Sequence, residues 1–124
     1  MLGETDALVT LAVKDLNNAR KFYEGQLGFE PVGGGERGVA MYRSGGSKIL
    51  VYKSEFAGTN RATAATWSVQ DVDATVKNLQ SKGIQFEHYD MPGGKREGDV
   101  HVFGKIRNAW FKDPDGNILS IVNG

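Results

Sequence analysis

The chain has 124 residues, 40% hydrophobic and 24% charged, with 15 basic side chains against 15 acidic ones. That length suits one domain with a real core, and the balanced charge gives no field to draw in nucleic acid or a membrane surface. The lack of cysteine excludes disulfides and thiolate chemistry, and no apolar run nears the ~20 residues of a membrane span. The first residues, MLGETD, lack a signal pattern, so the expectation is a cytoplasmic protein with no nucleic-acid or membrane partner. Its 17 glycines point to a turn-rich architecture with many strands.

Residues 7–14 are β-rich and end at Asp15, whose carboxylate can cap a helix starting at Leu16. Leu16, Ala19, Phe22, Tyr23 and Leu27 recur at helical spacing, and Gly28 is placed to end the helix. Strands follow over 29–32, 38–43 and 48–53, separated by Gly33, Gly34 and Gly35 and by the turn 44–47. The first half, 7–53, therefore reads β-α-β-β-β.

A linker over 54–62 leads to a second pass through the same order, 63–122. Residues 64–69 form a strand, Asp71 caps a helix bearing Val72, Val76 and Leu79, and Gly83 closes it. Strands are expected over 84–89, 106–111 and 118–122. The last two flank Asp113-Pro114-Asp115-Gly116-Asn117, a turn sequence in which Pro114 fixes φ and Gly116 tolerates a positive value. Val13-Lys14-Asp15-Leu16 matches Val69-Gln70-Asp71-Val72, and Leu27-Gly28-Phe29 matches Lys82-Gly83-Ile84 at nearly the same offset. Two matches in step indicate an internal duplication. Residues 90–105 lie outside the repeat as a Gly-rich, charged insertion, long for a plain loop.

The duplicated βαβββ unit, the V-x-D-L/V before each helix, the L-G-F after the first helix and the F-x-DPDGN-I-L before the last strand together resemble the vicinal oxygen chelate superfamily. This is the glyoxalase, bleomycin-resistance and extradiol-dioxygenase group. The resemblance covers nearly the whole chain. It implies an α+β fold in which two tandem βαβββ modules form curved sheets around a central cup, helices outside, within a single domain over 1–124. It also implies a homodimer, as in many members. Metal ligands in the family come from four inward strand positions, which here correspond to Leu8, Val51, Ala64 and Ser120. None offers a usual metal donor, since a lone hydroxyl binds divalent ions poorly. The chain therefore looks like a metal-free member with no cofactor, and the metal-polarised reactions of the family are disfavoured.

Period-two alternation sorts the strands by face. If the four positions face the cup, so do Thr10, Ala12, Met41, Ile49, Lys53, Thr66, Ser68, Trp110 and Ile118. Leu11, Val13, Tyr42, Leu50, Tyr52, Trp67, Phe111, Leu119 and Ile121 then face the helices. The cup set is small and mixed, which suits a small organic ligand. The expected contact residues are Thr10, Met41, Val51, Lys53, Ala64, Thr66, Ser68, Trp110, Ile118 and Ser120, with Phe56 and Tyr89 at the mouth. Trp110 offers a stacking face and one donor. His101, in the insertion, is the candidate general base, because the unperturbed pKa of an imidazole lies near neutrality. Its bland alternative is a solvated loop histidine. His88 reads as an exposed structural residue, and the basic residues Lys95, Arg96, Lys105, Arg107 and Lys112 as a solvated face.

Two functions follow. The first is a metal-independent binder of a small aromatic or otherwise apolar molecule. The alternative is a divalent-metal-dependent lyase, isomerase or dioxygenase of the same superfamily, or a metal-free enzyme using His101, Glu55 or Tyr52.

Overall fold

The computed structural model describes residues 1–34 and 38–124. The chain divides into two compact units, Met1–Thr59 and Asn60–Gly124. Both are mixed α+β, each built from its own sheet with a helix on one face.

The first unit opens with a short 3-10 turn and then strand β1 (Val9–Val13). Helix α1 (Leu16–Arg20) follows, capped by Asp15, whose carboxylate accepts from the Asn17 and Asn18 amides. The helix does not continue regularly. Over Lys21–Gln26 it widens into a π-helical turn, with the Leu27 amide reaching back to the Phe22 carbonyl. Gly25, a poor helix former, lies inside the widened turn. Gly28 then reverses the chain at φ 74°, a value that only glycine reaches without strain.

Strands β2 (Glu30–Gly34), β3 (Val39–Ser44) and β4 (Ser47–Lys53) complete a sheet of order β1-β4-β3-β2. Strand β2 continues through Gly33 and Gly34, where a break was expected; Gly35 lies outside the described residues. The core of this unit is Leu11, Val13, Ala40, Tyr42, Ile49 and Val51 from the sheet against Ala19, Phe22 and Tyr23 from the helix. The Tyr42 hydroxyl donates to Glu24 at 2.8 Å, so its buried polar end is satisfied. Burial, reinforced by Glu24, pushes the Tyr42 phenol far above its ordinary range.

Here the expected faces of β4 are reversed. Parallel pairing sets Leu11 opposite Val51 and Thr10 opposite Leu50, and antiparallel pairing sets Ala40 opposite Val51 and Met41 opposite Leu50. Ile49 and Val51 therefore belong to the core, at 2% and 0% exposure, while Leu50 and Tyr52 share the opposite face with Thr10 and Met41. All of Ile49, Leu50, Val51 and Tyr52 are apolar enough for either side, so alternation could not choose between them.

The second unit repeats the plan. Strand β5 (Thr63–Val69) leads to α2 (Val72–Ser81), whose cap Asp71 accepts from the Ala74 amide. Val72, Val76 and Leu79 are its buried stripe, and Gly83 takes φ 89° just beyond its end. Strand β6 is only Phe86–Glu87, shorter than the strand expected over 84–89. The insertion is not a loop: it folds into β7 (Lys95–Glu97) and β8 (Val100–Phe103), an antiparallel hairpin. Strands β9 (Ile106–Lys112) and β10 (Ile118–Asn123) follow, and the sheet order is β5-β10-β9-β8-β7 with β6 also on β9.

The turn between β9 and β10 is fixed by Asp113, which is 4% exposed. Its carboxylate accepts from the Asp115 and Asn117 amides and from the Asn117 side chain at 2.8–3.0 Å. Gly116 adopts φ 94°. This closes β9 onto β10 in a register that puts Trp110 opposite Ser120 and Phe111 opposite Leu119.

Candidate functional site

The second sheet has two faces of different character. Toward α2 it presents Ala65, Val100, Val102, Ala109, Phe111, Leu119 and Ile121, all buried and apolar. The register places Thr66, Asn108, Trp110 and Ser120 on the other face. Both expectations for this sheet, Phe111 inward to the helix and Trp110 away from it, match the pairing.

The hairpin adds to that second face. His101 pairs with Asn108 across β8–β9, so it joins the Trp110 side. There β9 has a shared edge: β6 pairs with its Trp110–Phe111 end and β8 with its Ile106–Asn108 end. His101, Tyr89 and Trp110 thereby meet. Ring centroids are 4.9 Å apart for His101–Trp110 and 5.5 Å for Tyr89–Trp110, both edge-to-face, a favourable arrangement for aromatic quadrupoles.

His101 is 3% exposed, so it is a buried residue and not a solvated loop histidine. Its Nε2 accepts from the Tyr89 amide at 2.9 Å. That bond needs a lone pair on Nε2, which puts the proton of the neutral ring on Nδ1. A ring arranged this way has no free lone pair, so it can donate a hydrogen bond but not take a proton. The general-base role expected for His101 does not fit. Nδ1 and the Tyr89 hydroxyl are both buried without a hydrogen-bond partner. Burial, helped by Glu87 and opposed by Lys112, pushes the Tyr89 phenol up, so it stays a donor at neutral pH.

The hairpin is pinned to α2 by two polar contacts. Arg107 forks onto Asp73 at 2.9–3.0 Å and reaches Glu97 of β7 at 3.1 Å, and these bonds hold its guanidinium still more firmly protonated. Asp99, in the hairpin turn, receives Gln80 of α2 and pairs with His88. Arg107 and His88 thus join pieces far apart in sequence. The solvated reading of Arg107 does not anticipate this, because its partners are supplied by folding, whereas His88 is exposed and structural, as expected.

The remaining expected contact residues scatter. Thr10 and Met41 lie on the Leu50 side of the first sheet, away from its helix. Val51 is buried in that unit's core, and Lys53 lines a cleft with Asp15 and Asn17 at the start of α1. Neither belongs with Thr10. Phe56 is in an exposed turn at 70% exposure. Ser68 donates to the Gly124 carbonyl. Ile118 marks a register step: it sits opposite Thr63 while Leu119 sits opposite Ala65, leaving Ala64 unpaired between them. Trp110 uses its indole N–H on the Thr63 hydroxyl at 3.1 Å, so the donor expected to be free for a ligand is already spent.

The fit of a metal can be judged from donor chemistry. With the β4 faces corrected, Leu50 takes the place that alignment had given to Val51, because Thr10–Leu50 in the first sheet corresponds to Thr66–Ser120 in the second. The four positions are then Leu8, Leu50, Ala64 and Ser120. Three are hydrocarbon. The Ser120 hydroxyl is within 3.1 Å of Thr66 Oγ1 and accepts from the Asn108 side-chain amide at 3.3 Å, so it is engaged within the sheet. Among the described residues no three His, Asp or Glu side chains gather. These residues do not fit a divalent ion held by carboxylate and imidazole donors.

Comparison with known proteins agrees with the architecture. A solved glyoxalase family protein from Enterococcus faecalis superposes with TM-score 0.76 at 18% identity, covering 99% of this chain and 100% of that one. A mutant of the fosfomycin resistance protein FosX from Listeria monocytogenes, complexed with Mn(II) and 1S,2S-dihydroxypropylphosphonic acid, matches with TM-score 0.70 at 19% identity, over 96% of this chain and 89% of that one. In sequence, the uncharacterized protein YraH of Bacillus subtilis (strain 168) is 27% identical over 128 aligned positions, spanning 91% of this chain and 93% of YraH. The family model described as Glyoxalase/Bleomycin resistance protein/Dioxygenase superfamily matches residues 7–121. With the repeat, the sheet order and this match in agreement, the chain belongs to the glyoxalase/bleomycin resistance protein/dioxygenase superfamily.

Proposed function

We propose that this protein binds a small, mainly apolar or aromatic organic molecule without a metal ion, using the face of the second sheet that carries Thr66, Trp110 and Ser120. One observation carries the reading. Where the family resemblance calls for a metal-ligating carboxylate, this chain has Ser120, already bonded to Thr66 and Asn108. Beside it Trp110, largely buried and with its N–H satisfied, adds an aromatic wall that packs edge-to-face on Tyr89 and His101. Glu87, the carboxylate that register puts on this face, is paired with Lys112 at 3.5 Å. A cationic drug therefore finds no free counter-charge there. A cytoplasmic homodimer belongs to the same proposal, and sedimentation of the purified protein tests its assembly.

The alternative is a divalent-metal-dependent lyase, isomerase or dioxygenase. The likeness to a Mn(II)-containing FosX complex favours it, but at 19% identity that likeness concerns the fold alone. The donor-poor positions oppose it.

Elemental analysis of protein purified without chelators, with thermal unfolding against Mn, Fe, Ni, Zn and a panel of small aromatics, separates the two. We expect substoichiometric metal, no stabilisation by any of the ions, and a rise of a few degrees with aromatics well above their Kd. One tightly bound ion per chain would overturn the proposal.

A further inference from the structure

We propose that the cavity beneath the β7–β8 hairpin is a subsite for an aromatic carboxylate, with the His101 Nδ1–H and the Tyr89 hydroxyl as donors and Arg96 as the counter-charge. The proposal rests on the small-molecule reading above and names its ligand class. The cavity has a volume of about 390 Å³, within the range of small-molecule sites, and all its lining residues fall between Tyr89 and Phe103.

Three features point to this class. Tyr89 and His101 both line the cavity, and each carries a buried polar atom with no partner. Both atoms are donors, the imidazole because its other nitrogen accepts the Tyr89 amide and the phenol because it remains protonated. Native structures rarely leave such groups unpaired, and an incoming acceptor removes the penalty. Next, the rim is cationic on balance. Lys95 and Arg96 face a single carboxylate, Asp90, among the lining residues. Lys95 makes only a 4.0 Å contact with Glu97, and Arg96 makes no hydrogen bond or ion pair among the described residues. Arg96 pairs across the hairpin with His101, so register puts the two on one face. A guanidinium in this position matches a carboxylate in charge and in fork geometry. Finally, Met91, Phe103 and the Tyr89 ring supply apolar and flat walls for the body of the ligand.

The way in passes the outer strand. β7 has three residues, all exposed, and among the described residues pairs only with β8. An outward movement of this edge would open a way to the two donors. Gly94, just before it, already lies against Phe103: a methyl group there would come within 2.3 Å of the ring. The cavity's shape thus depends on the absence of a side chain at Gly94.

The test titrates the full chain with 1-naphthoate and with its neutral counterpart 1-naphthalenemethanol, following Trp fluorescence and heat. The acid should bind the wild type at least tenfold more tightly than the alcohol. Tyr89→Phe should weaken the acid about tenfold, the effect of losing one charge-assisted hydrogen bond, with no loss of thermal stability. Arg96→Gln should weaken it several-fold and flatten its salt dependence. Gly94→Ala should weaken acid and alcohol alike. Equal affinity for both compounds, or acid binding indifferent to Tyr89→Phe and Arg96→Gln, would overturn this inference and leave the broader small-molecule reading standing. Failure of both compounds, together with no stabilisation by any aromatic in the thermal panel, would overturn both.

Discussion

The two units share one plan and differ in what they place on the sheet face away from the helix. In the first unit that face carries Thr10, Met41, Leu50 and Tyr52. In the second, the corresponding sheet positions carry Thr66, Trp110 and Ser120, and the extra hairpin adds His101. The helix-facing sides remain alike, both apolar and closed. Duplication therefore preserved the packing that folds each unit, while the opposite faces diverged. The same β9 edge that β6 barely occupies, with two residues, is the edge the hairpin takes. The short β6 leaves that edge open to the hairpin that lines the cavity.

The sharpest way to break the comparison is to swap a charge between faces of one strand. Val51→Asp should abolish cooperative unfolding, since an unpaired buried carboxylate costs several kcal/mol. Leu50→Asp should leave a folded protein that melts cooperatively. If the two variants behave alike in denaturant titrations, the assignment of faces fails. In the second unit, Asp113→Ala should cost about 3 kcal/mol, because it removes the carboxylate that accepts from the Asn117 amide and side chain in a buried turn. A loss below 1 kcal/mol in urea would show that the turn is held by other means.

Smaller effects refine the likeness of the halves. Asp15→Ala and Asp71→Ala should each cost about 1 kcal/mol, the usual value of an N-cap. Asp15, with two amides to Asp71's one, should be the larger. Alkaline stability should report the first unit most strongly, because Tyr42 is pushed up further than Tyr89 of the second unit. The folded-state pKa of Tyr42 lies above its unfolded value near 10, so its contribution is complete below pH 10 and declines as pH rises past that point. Tyr42→Phe should flatten that decline in unfolding curves taken from pH 9 upward, and an unchanged slope would assign the loss elsewhere. Tyr89→Phe should not lower stability and should raise it slightly, by up to about 1 kcal/mol, since it removes a buried hydroxyl that bonds to nothing.

The sequence by itself determined the features that depend on near neighbours. Asp15 and Asp71 find amides two or three residues on, Gly28 and Gly83 supply positive φ, and Asp113 closes on Asn117 within one turn. Most of the element order and the duplication were legible for the same reason, while the faces of β9 and β10 followed from the position assigned to Ser120 after the DPDGN turn, which by period two puts Trp110 on the same side. Only the tertiary structure decided the rest. The apolar run from Ile49 to Tyr52 suits either face, and pairing with β1 and β3 selects Ile49 and Val51 for the core. The insertion carries no alternation strong enough to mark strands, and it becomes a hairpin because the edge of β9 offers it unpaired backbone groups. That pairing buries His101 against Trp110 and spends its lone pair on Tyr89, turning a presumed base into a donor.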